Sequence, residues 1–173
     1  MFVDAISASN ENPNDPRNRD VIHPADDLFS ANLKTPINSS PFTRTFINNL
    51  PAYRKGLTPL RRGLEVGMAH GYWLLGPFVK LGPLRNTEVA NLAGLLSTVG
   101  LLLISALVIS LYGSSNPPSP TPTLTTPNPP RELSHSEGWN EYGSGFLIGG
   151  IGGAIVAYFL LSNLGLFKGL AGM

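Results

Sequence analysis

Two long uncharged stretches dominate the pattern of apolar and polar positions along the chain. Val89 to Leu111 and Tyr142 to Phe167 contain no Asp, Glu, Lys or Arg. An α-helix rises about 1.5 Å per residue, so about 20 residues cross a hydrocarbon core about 30 Å thick. Both stretches exceed that length, and the sequence predicts transmembrane helices at 87–111 and 139–165.

A third, shorter apolar stretch precedes these two. Residues 63–79 are bounded by basic residues at both ends, namely Arg61, Arg62 and Lys80. We interpret residues 60–80 as the first transmembrane helix, at the short end of the permitted range, with the basic side chains reaching the membrane interface. Pro77 should end or bend this helix, because proline lacks the backbone N–H that a helix interior needs.

The remaining segments are polar, proline-rich or short. Residues 1–43 carry five prolines among polar residues and predict an extended polar arm. Apolar residues at helical spacing in 42–50 predict a short amphipathic helix on the membrane surface, and we assign residues 44–56 as an interfacial segment. Residues 113–136 form a loop whose proline content favours polyproline conformation. Residues 166–173 remain as a short tail.

Together these elements predict an all-α integral membrane protein with three transmembrane helices and an extended N-terminal arm. Basic residues cluster ahead of the first helix without an intervening acid, namely Arg44, Arg54, Lys55, Arg61 and Arg62. The next loop has only Lys80 and Arg85. Since basic residues favour the cytoplasmic side, we expect the N-terminus and the proline-rich loop there and the tail on the opposite, lumenal side.

Composition and charge exclude several functions. The chain has no cysteine, so disulfides, thiolate metal sites and cysteine nucleophiles are excluded. Its formal charge of +1 argues against nucleic-acid binding. No phosphate-binding glycine loop, paired-histidine metal motif or nucleophile elbow is present, which argues against an enzyme.

Glycines form a stripe on the first and third predicted helices. Gly63, Gly67 and Gly71 fall within about 80° of arc on the first helix. The third helix has the corresponding set Gly145, Gly149, Gly152 and Gly153. Such stripes allow another helix to approach closely, and close packing against a flat macrocycle is the alternative.

Glu65 and His70 are the strongly polar residues inside the first predicted helix. A carboxylate near a helix centre costs roughly 2.5 to 3.5 kcal/mol on insertion scales, so each group needs a partner. The two lie about 140° apart around the helix and cannot easily share one metal ion.

Several partners for these two residues are compatible with the spacing. A chlorophyll magnesium has one axial position that an imidazole or a carboxylate oxygen can fill, so each residue could hold one pigment. Alternatively, Glu65 pairs with Arg61 or Arg62 while His70 bonds to another helix. A third hypothesis is a small transporter or channel subunit that uses Glu65 and His70 to bind an ion.

Five short motifs resemble the cyanobacterial type of photosystem I reaction centre subunit XI, the PsaL family. They are FINNLPAYR at 46–54, GLEVGMAHG at 63–71, KLGPLR at 80–85, ANLAG at 90–94 and SEGW at 136–139. With the glycine-rich third helix, the resemblance covers roughly residues 35 to 165.

The resemblance implies a multi-pass, non-enzymatic subunit of the cyanobacterial thylakoid membrane with its N-terminus on the cytoplasmic side. It implies bound chlorophyll a and β-carotene as peripheral antenna pigments, with Glu65 and His70 as the axial ligands of chlorophyll magnesium. The implied partners are the photosystem I core, its small membrane subunits, lipids and neighbouring copies of the same subunit.

Two features depart from the trimer-forming members of this family. The loop 114–136 is long and proline-dense, and the chain has few residues after the third predicted helix. This kind of loop resembles that of members from dimeric or tetrameric photosystem I, and we expect a role in that type of oligomer.

Overall fold

The structure is a computed structural model, and it describes residues 23–24 and 33–165 of the chain. These residues fall into two units. The first includes the described residues up to Lys55 together with 121–129, and the second includes 56–120 and 130–165. Most of the predicted arm at 1–43, and the predicted tail at 166–173, lie outside the described residues.

The first unit begins with a short strand pair and two helices. Strand β1 (His23–Pro24) pairs antiparallel with β2 (Leu33–Lys34). Helix α1 spans Pro36–Ser39 and α2 spans Pro41–Asn49. Helix α2 therefore corresponds to the amphipathic helix predicted at 42–50, and both of its ends lie one residue earlier than predicted.

Prolines start both of these helices instead of keeping the chain extended. Thr35 caps α1 and Ser40 caps α2, and each is followed by a proline at the first helical position. Proline fits there because the first helical N–H has no partner within the helix. Residues 33–43 therefore contain β2, α1 and the start of α2 where an extended arm was expected.

The second unit contains three long helices. Helix α3 spans Pro59–Leu81, α4 spans Ala90–Ser114 and α5 spans Ser136–Ser162. A 3₁₀-helix at Arg131–Ser134 precedes α5. The boundaries differ by up to three residues from the predicted ranges 60–80, 87–111 and 139–165.

Pro77 does not end α3. The helix continues through this proline to Leu81, so of the two expected effects, an end or a bend, the end does not occur. Loss of one backbone hydrogen bond is tolerated in a helix that neighbouring helices support. The buried positions of α3 continue past Pro77 at four-residue spacing, as Gly71, Leu75 and Val79.

The order of contacts fixes the directions of the three helices. Gly63 lies against Tyr142, and Gly71 against Gly150, so α3 and α5 run parallel. Helix α4 runs antiparallel to both, because its Gly94 contacts Val79 near the end of α3 and its Gly113 contacts Trp139 near the start of α5.

Two of the described helices, α4 and α5, are long and apolar enough to cross a bilayer. In their most apolar windows only 22% and 33% of residues are buried within the protein. A core helix of a water-soluble protein would be mostly buried, and these apolar faces are mostly exposed. The pattern favours a lipid environment.

Candidate functional site

His70 lies on an exposed face of α3, and a hydrogen bond orients its ring. Its Nδ1 lies 2.8 Å from the carbonyl oxygen of Val66, one turn earlier in the same helix. Because a carbonyl only accepts, Nδ1 must carry the hydrogen of this bond. In the neutral ring, Nε2 then holds the lone pair and is the nitrogen that can bind a metal.

Phe146 of α5 provides the second constraint on this ring. Its own ring is buried, and its centroid lies 5.5 Å from that of the imidazole at an interplanar angle of 59°. Phe146 and the Val66 carbonyl were not identified as site residues from the sequence. The adjacent Gly145, in the glycine stripe of α5, was the available signal in the sequence that α5 approaches α3 closely at this point.

The glycine stripes of α3 and α5 face each other. A Cβ added at Gly63, Gly67 or Gly71 would overlap the backbone of α5, at Tyr142, Phe146 and Gly150 respectively. Helix packing therefore accounts for the stripes, and a macrocycle does not occupy these positions.

The α5 stripe makes the reciprocal contacts with α3. A Cβ at Gly145, Gly149 or Gly153 would overlap backbone carbonyls of α3. Gly152 differs, because a Cβ there would meet no atom within 4 Å. The backbone contact at Gly67 is also what brings Phe146 up to His70.

Glu65 lies half-buried on α3, five residues before His70. One of its two predicted basic partners, Arg62, pairs with Glu132 through a 2.6 Å contact between Nη2 and Oε1. The same Arg62 Nη2 donates to the Leu57 carbonyl at 3.3 Å.

The structure keeps Glu65 and His70 on separate faces, as the spacing predicts. Five residues of helix turn the two side chains about 140° apart and separate them by about 7.5 Å along the axis. Among the described residues there is no group of three or more His, Asp or Glu side chains that could enclose a metal ion. The arrangement suits two ligands that each fill a single open coordination position.

Aromatic residues cluster where α4 ends and α5 begins. The rings of Tyr112 and Trp139 meet edge to face with centroids 5.0 Å apart, and Tyr142 lies 5.9 Å beyond Trp139. Trp139 Nε1 donates to the Leu133 carbonyl at 2.7 Å. Rings with one polar atom and one apolar body are typical of the boundary between bilayer and water.

Comparison with known proteins identifies close relatives over almost the whole chain. The PsaL family model, described as photosystem I reaction centre subunit XI, matches residues 20–166. The photosystem I reaction center subunit XI of Nostoc punctiforme is 61% identical over 173 residues, covering 99% of this chain and 100% of that protein. The protein of the same description from Mastigocladus laminosus is 62% identical over 172 residues, covering 99% of each. That of Synechococcus elongatus is 63% identical over 134 residues, covering 76% of this chain and 81% of that protein.

Proposed function

Because the chain belongs to the photosystem I reaction centre subunit XI family and is a structural component of that complex, not an enzyme, we propose that it binds chlorophyll there through Glu65 and His70. Its close relatives are cyanobacterial, which places it in the thylakoid membrane. Bound chlorophyll would supply light absorption and transfer of excitation energy as peripheral antenna.

The observation that carries this proposal is the orientation of His70. The hydrogen bond from Nδ1–H to the Val66 carbonyl stabilises the tautomer that carries its hydrogen on Nδ1. In this tautomer Nε2 is the nitrogen available as a ligand atom. Metal-binding histidines typically donate their other N–H to a carbonyl in this way. The ring is exposed at the surface of the helix, so a macrocycle can approach it from the side away from Phe146.

Glu65 would hold a second pigment through a carboxylate oxygen. Magnesium prefers oxygen ligands, and a single axial position needs only one. Since the two side chains diverge by about 140°, one pigment would bind on each face of α3. The residues present therefore fit chlorophyll a as the group to be held.

Several features of α3 support its role as a third transmembrane helix. It has 23 residues, about 34 Å in length, and runs beside α5 along its glycine stripe. Its first turns lie level with Tyr142 of the aromatic cluster. Its few strongly polar residues would be accommodated by pigment ligation. With the basic residues ahead of α3, this gives a three-helix protein with its N-terminus on the cytoplasmic side.

The outward faces of the bundle would contact the other components of the complex. Helix α4 exposes large apolar side chains, including Leu96, Ile104, Leu107 and Leu111. β-Carotene and lipid chains have no polar atoms at this depth and would pack on such faces, as would the photosystem I core and its small membrane subunits.

We further propose a role in oligomerisation through neighbouring copies of this subunit, in a dimeric or tetrameric complex. The support for it is the resemblance of the proline-rich loop to that of family members from dimeric or tetrameric complexes. Residues 124 and 125 of this loop are also bound to α2 within the first unit. Leu124 O accepts from the Arg44 guanidinium at 3.1 Å, and Thr125 O accepts from Asn48 Nδ2 at 2.8 Å. Gel filtration of solubilised complexes that yielded only trimers would contradict this arrangement.

The transporter or channel hypothesis is not favoured. The family match assigns the chain to photosystem I. Helix α4 has no ionisable Asp, Glu, Lys, Arg or His, and the acids of α5, Glu137 and Glu141, lie in its first two turns. No chain of ionisable groups continues from Glu65 and His70 through these two helices.

The test of the proposed function is to replace His70 with Leu in photosystem I purified from the cyanobacterium. Leucine favours membrane insertion, so the subunit should assemble while each copy loses one chlorophyll. Pigment extraction per reaction centre measures the loss, and a density map locates it. His135→Leu is the matched control, because this exposed histidine lies in the turn before α5 and should keep every pigment. An unchanged pigment count in the His70→Leu complex would contradict the ligand assignment.

A further inference from the structure

A groove lies between the second half of α3 and the end of α5. It has a volume of about 440 Å³. Trp73, Gly76 and Pro77 line it from α3, and Ala157 and Leu161 are among the residues that line it from α5. Since α3 and α5 run parallel, both helices end on the same side of the bundle, and the groove lies near those ends.

The walls of the groove suit a hydrocarbon chain. The side chains that line it are apolar or aromatic, and none is charged. Two of them are strongly exposed, Tyr72 at 53% and Trp73 at 70%. A Cβ at Gly76 would meet no atom within 4 Å, so the protein leaves the space beside this residue open. In a bilayer, lipid chains cover apolar surface of this kind unless another apolar group does so.

Lys80 lies at the end of this groove. It follows Trp73 by seven residues, which places it within about 20° on the same face of α3 and about 10 Å further along the helix. Its side chain is exposed, and within the described part of the chain it forms no ion pair. In a bilayer spanned by α3, the ammonium group therefore reaches the headgroup region while the apolar walls lie in the hydrocarbon.

The groups at this end of the bundle specify the chemistry of the headgroup. The ammonium group of Lys80 attracts an anion such as a phosphate or a sulfonate. The last carbonyls of a helix have no donor within the helix, and α3 and α5 both end here, so hydroxyl groups can donate to them. These helix ends also carry partial negative charge, which disfavours a headgroup with an anion alone. A headgroup that combines one anionic group with hydroxyls meets both requirements.

We propose that this groove binds one anionic diacyl lipid, with an acyl chain along Trp73 and Gly76 and a hydroxyl-bearing headgroup at Lys80. A carotenoid, or a lipid with a neutral headgroup, would fill the groove but would provide no counter-charge for Lys80. The proposal rests on the transmembrane arrangement of α3 proposed above. It goes beyond that function, because it assigns to this subunit a site for a lipid of defined charge.

The charge of the headgroup is tested in purified photosystem I that contains variants of this subunit. Lys80→Met removes the cation and keeps an apolar stem, so each copy should lose one anionic lipid, whereas Lys80→Arg should retain it. Arg85→Met is the matched control, because it removes the same charge from the exposed α3–α4 turn and should keep the lipid. Mass spectrometry of the extracted lipids gives the number of anionic lipids per reaction centre. Equal numbers for Lys80→Met and Arg85→Met would overturn the proposal.

The position of the acyl chain is tested separately. Gly76→Leu places a branched side chain in the groove, so the number of anionic lipids should fall by one per copy and the lipid density should disappear. Gly100→Leu on α4 is the control, since a Cβ at Gly100 also meets no atom within 4 Å, and it should keep the lipid. A Gly76→Leu complex that keeps the lipid would contradict the proposal. So would a density map of the unaltered complex with a carotenoid, a neutral lipid or another subunit in the groove.

The outcomes separate this inference from the proposed function, because one is measured by lipid content and the other by chlorophyll content. If Lys80→Met and Gly76→Leu keep every anionic lipid while His70→Leu loses a chlorophyll, the lipid site is wrong and the proposed function stands. If those two variants lose the lipid while His70→Leu keeps every chlorophyll, the lipid site is supported and the ligand assignment of His70 fails.

Discussion

At the scale of single residues, the chemistry of α3 depends on which neighbouring groups form hydrogen bonds or ion pairs with its polar side chains. The Val66 carbonyl accepts a hydrogen bond from His70 Nδ1–H, and Glu132 forms an ion pair with Arg62. Arg62 is only 2% exposed, so its partner prevents an uncompensated charge within the protein. The first of these bonds fixes the orientation of the His70 ring.

Removing the partner of Arg62 should therefore destabilise the subunit. Glu132→Leu would remove the ion pair that this buried guanidinium forms at 2.6 Å, at an expected cost of about 3 kcal/mol. The measurement is the temperature at which the subunit is released from purified photosystem I. Arg61→Met, at the exposed neighbouring position, should change stability by less than about 0.5 kcal/mol. Equal release temperatures for the two variants would show that the ion pair contributes little.

At the scale of the helices, much of the fold could be predicted because length and hydrophobicity determine it. The uncharged stretches specify α4 and α5, and four-residue spacing of glycines correctly predicts close helix packing. The predicted helix boundaries were less accurate, because turn residues and prolines are only local signals and packing can override them. Examples are the turn residues before Ala90, where α4 begins, and Pro77, through which α3 continues.

Other features could not be predicted because they join residues far apart in the sequence. The Arg62–Glu132 pair spans 70 residues, and nothing near either residue indicates the other. Similarly, Gly152 and Gly153 are adjacent, and only the position of α3 shows that Gly153 forms the contact while Gly152 is open. For the site, the sequence supplied Glu65 and His70 but not the bond that orients His70.

The glycine contact between α3 and α5 leads to a prediction about packing and pigment together. Gly67→Ala would place a methyl group against the backbone of Phe146, which cannot move aside as a flexible side chain could. We expect a loss of about 1 to 3 kcal/mol in stability and a displaced Phe146 ring, with a shifted absorption band for the chlorophyll proposed to bind at His70. Heat-induced release of the subunit and low-temperature absorption measure the two effects. Gly152→Ala adds the same methyl group in open space and should change neither; a stable, spectrally normal Gly67→Ala complex would contradict this account of the packing.

At the scale of the whole molecule, the number of membrane crossings determines which surfaces share a compartment. If α3, α4 and α5 all cross, the segment before α3 and the proline-rich loop lie on one side and the α3–α4 turn lies on the other. If only α4 and α5 cross, the segment before α3 and the α3–α4 turn share a side, and the loop lies opposite. Pigment ligation by α3 within the bilayer requires the first arrangement.

Single cysteines distinguish the two arrangements, because the chain has none of its own. Lys55, Asn86 and Ser119 are exposed positions in the three segments, and each can be changed to Cys separately. In sealed thylakoids with the cytoplasmic face outward, a membrane-impermeant maleimide should label Lys55→Cys and Ser119→Cys. Asn86→Cys should react only after the membranes are opened. Labelling after detergent denaturation serves as the control for sites that partner subunits cover. Shared labelling of Lys55→Cys and Asn86→Cys, with Ser119→Cys protected, would place α3 outside the bilayer and remove the basis for chlorophyll binding by Glu65 and His70.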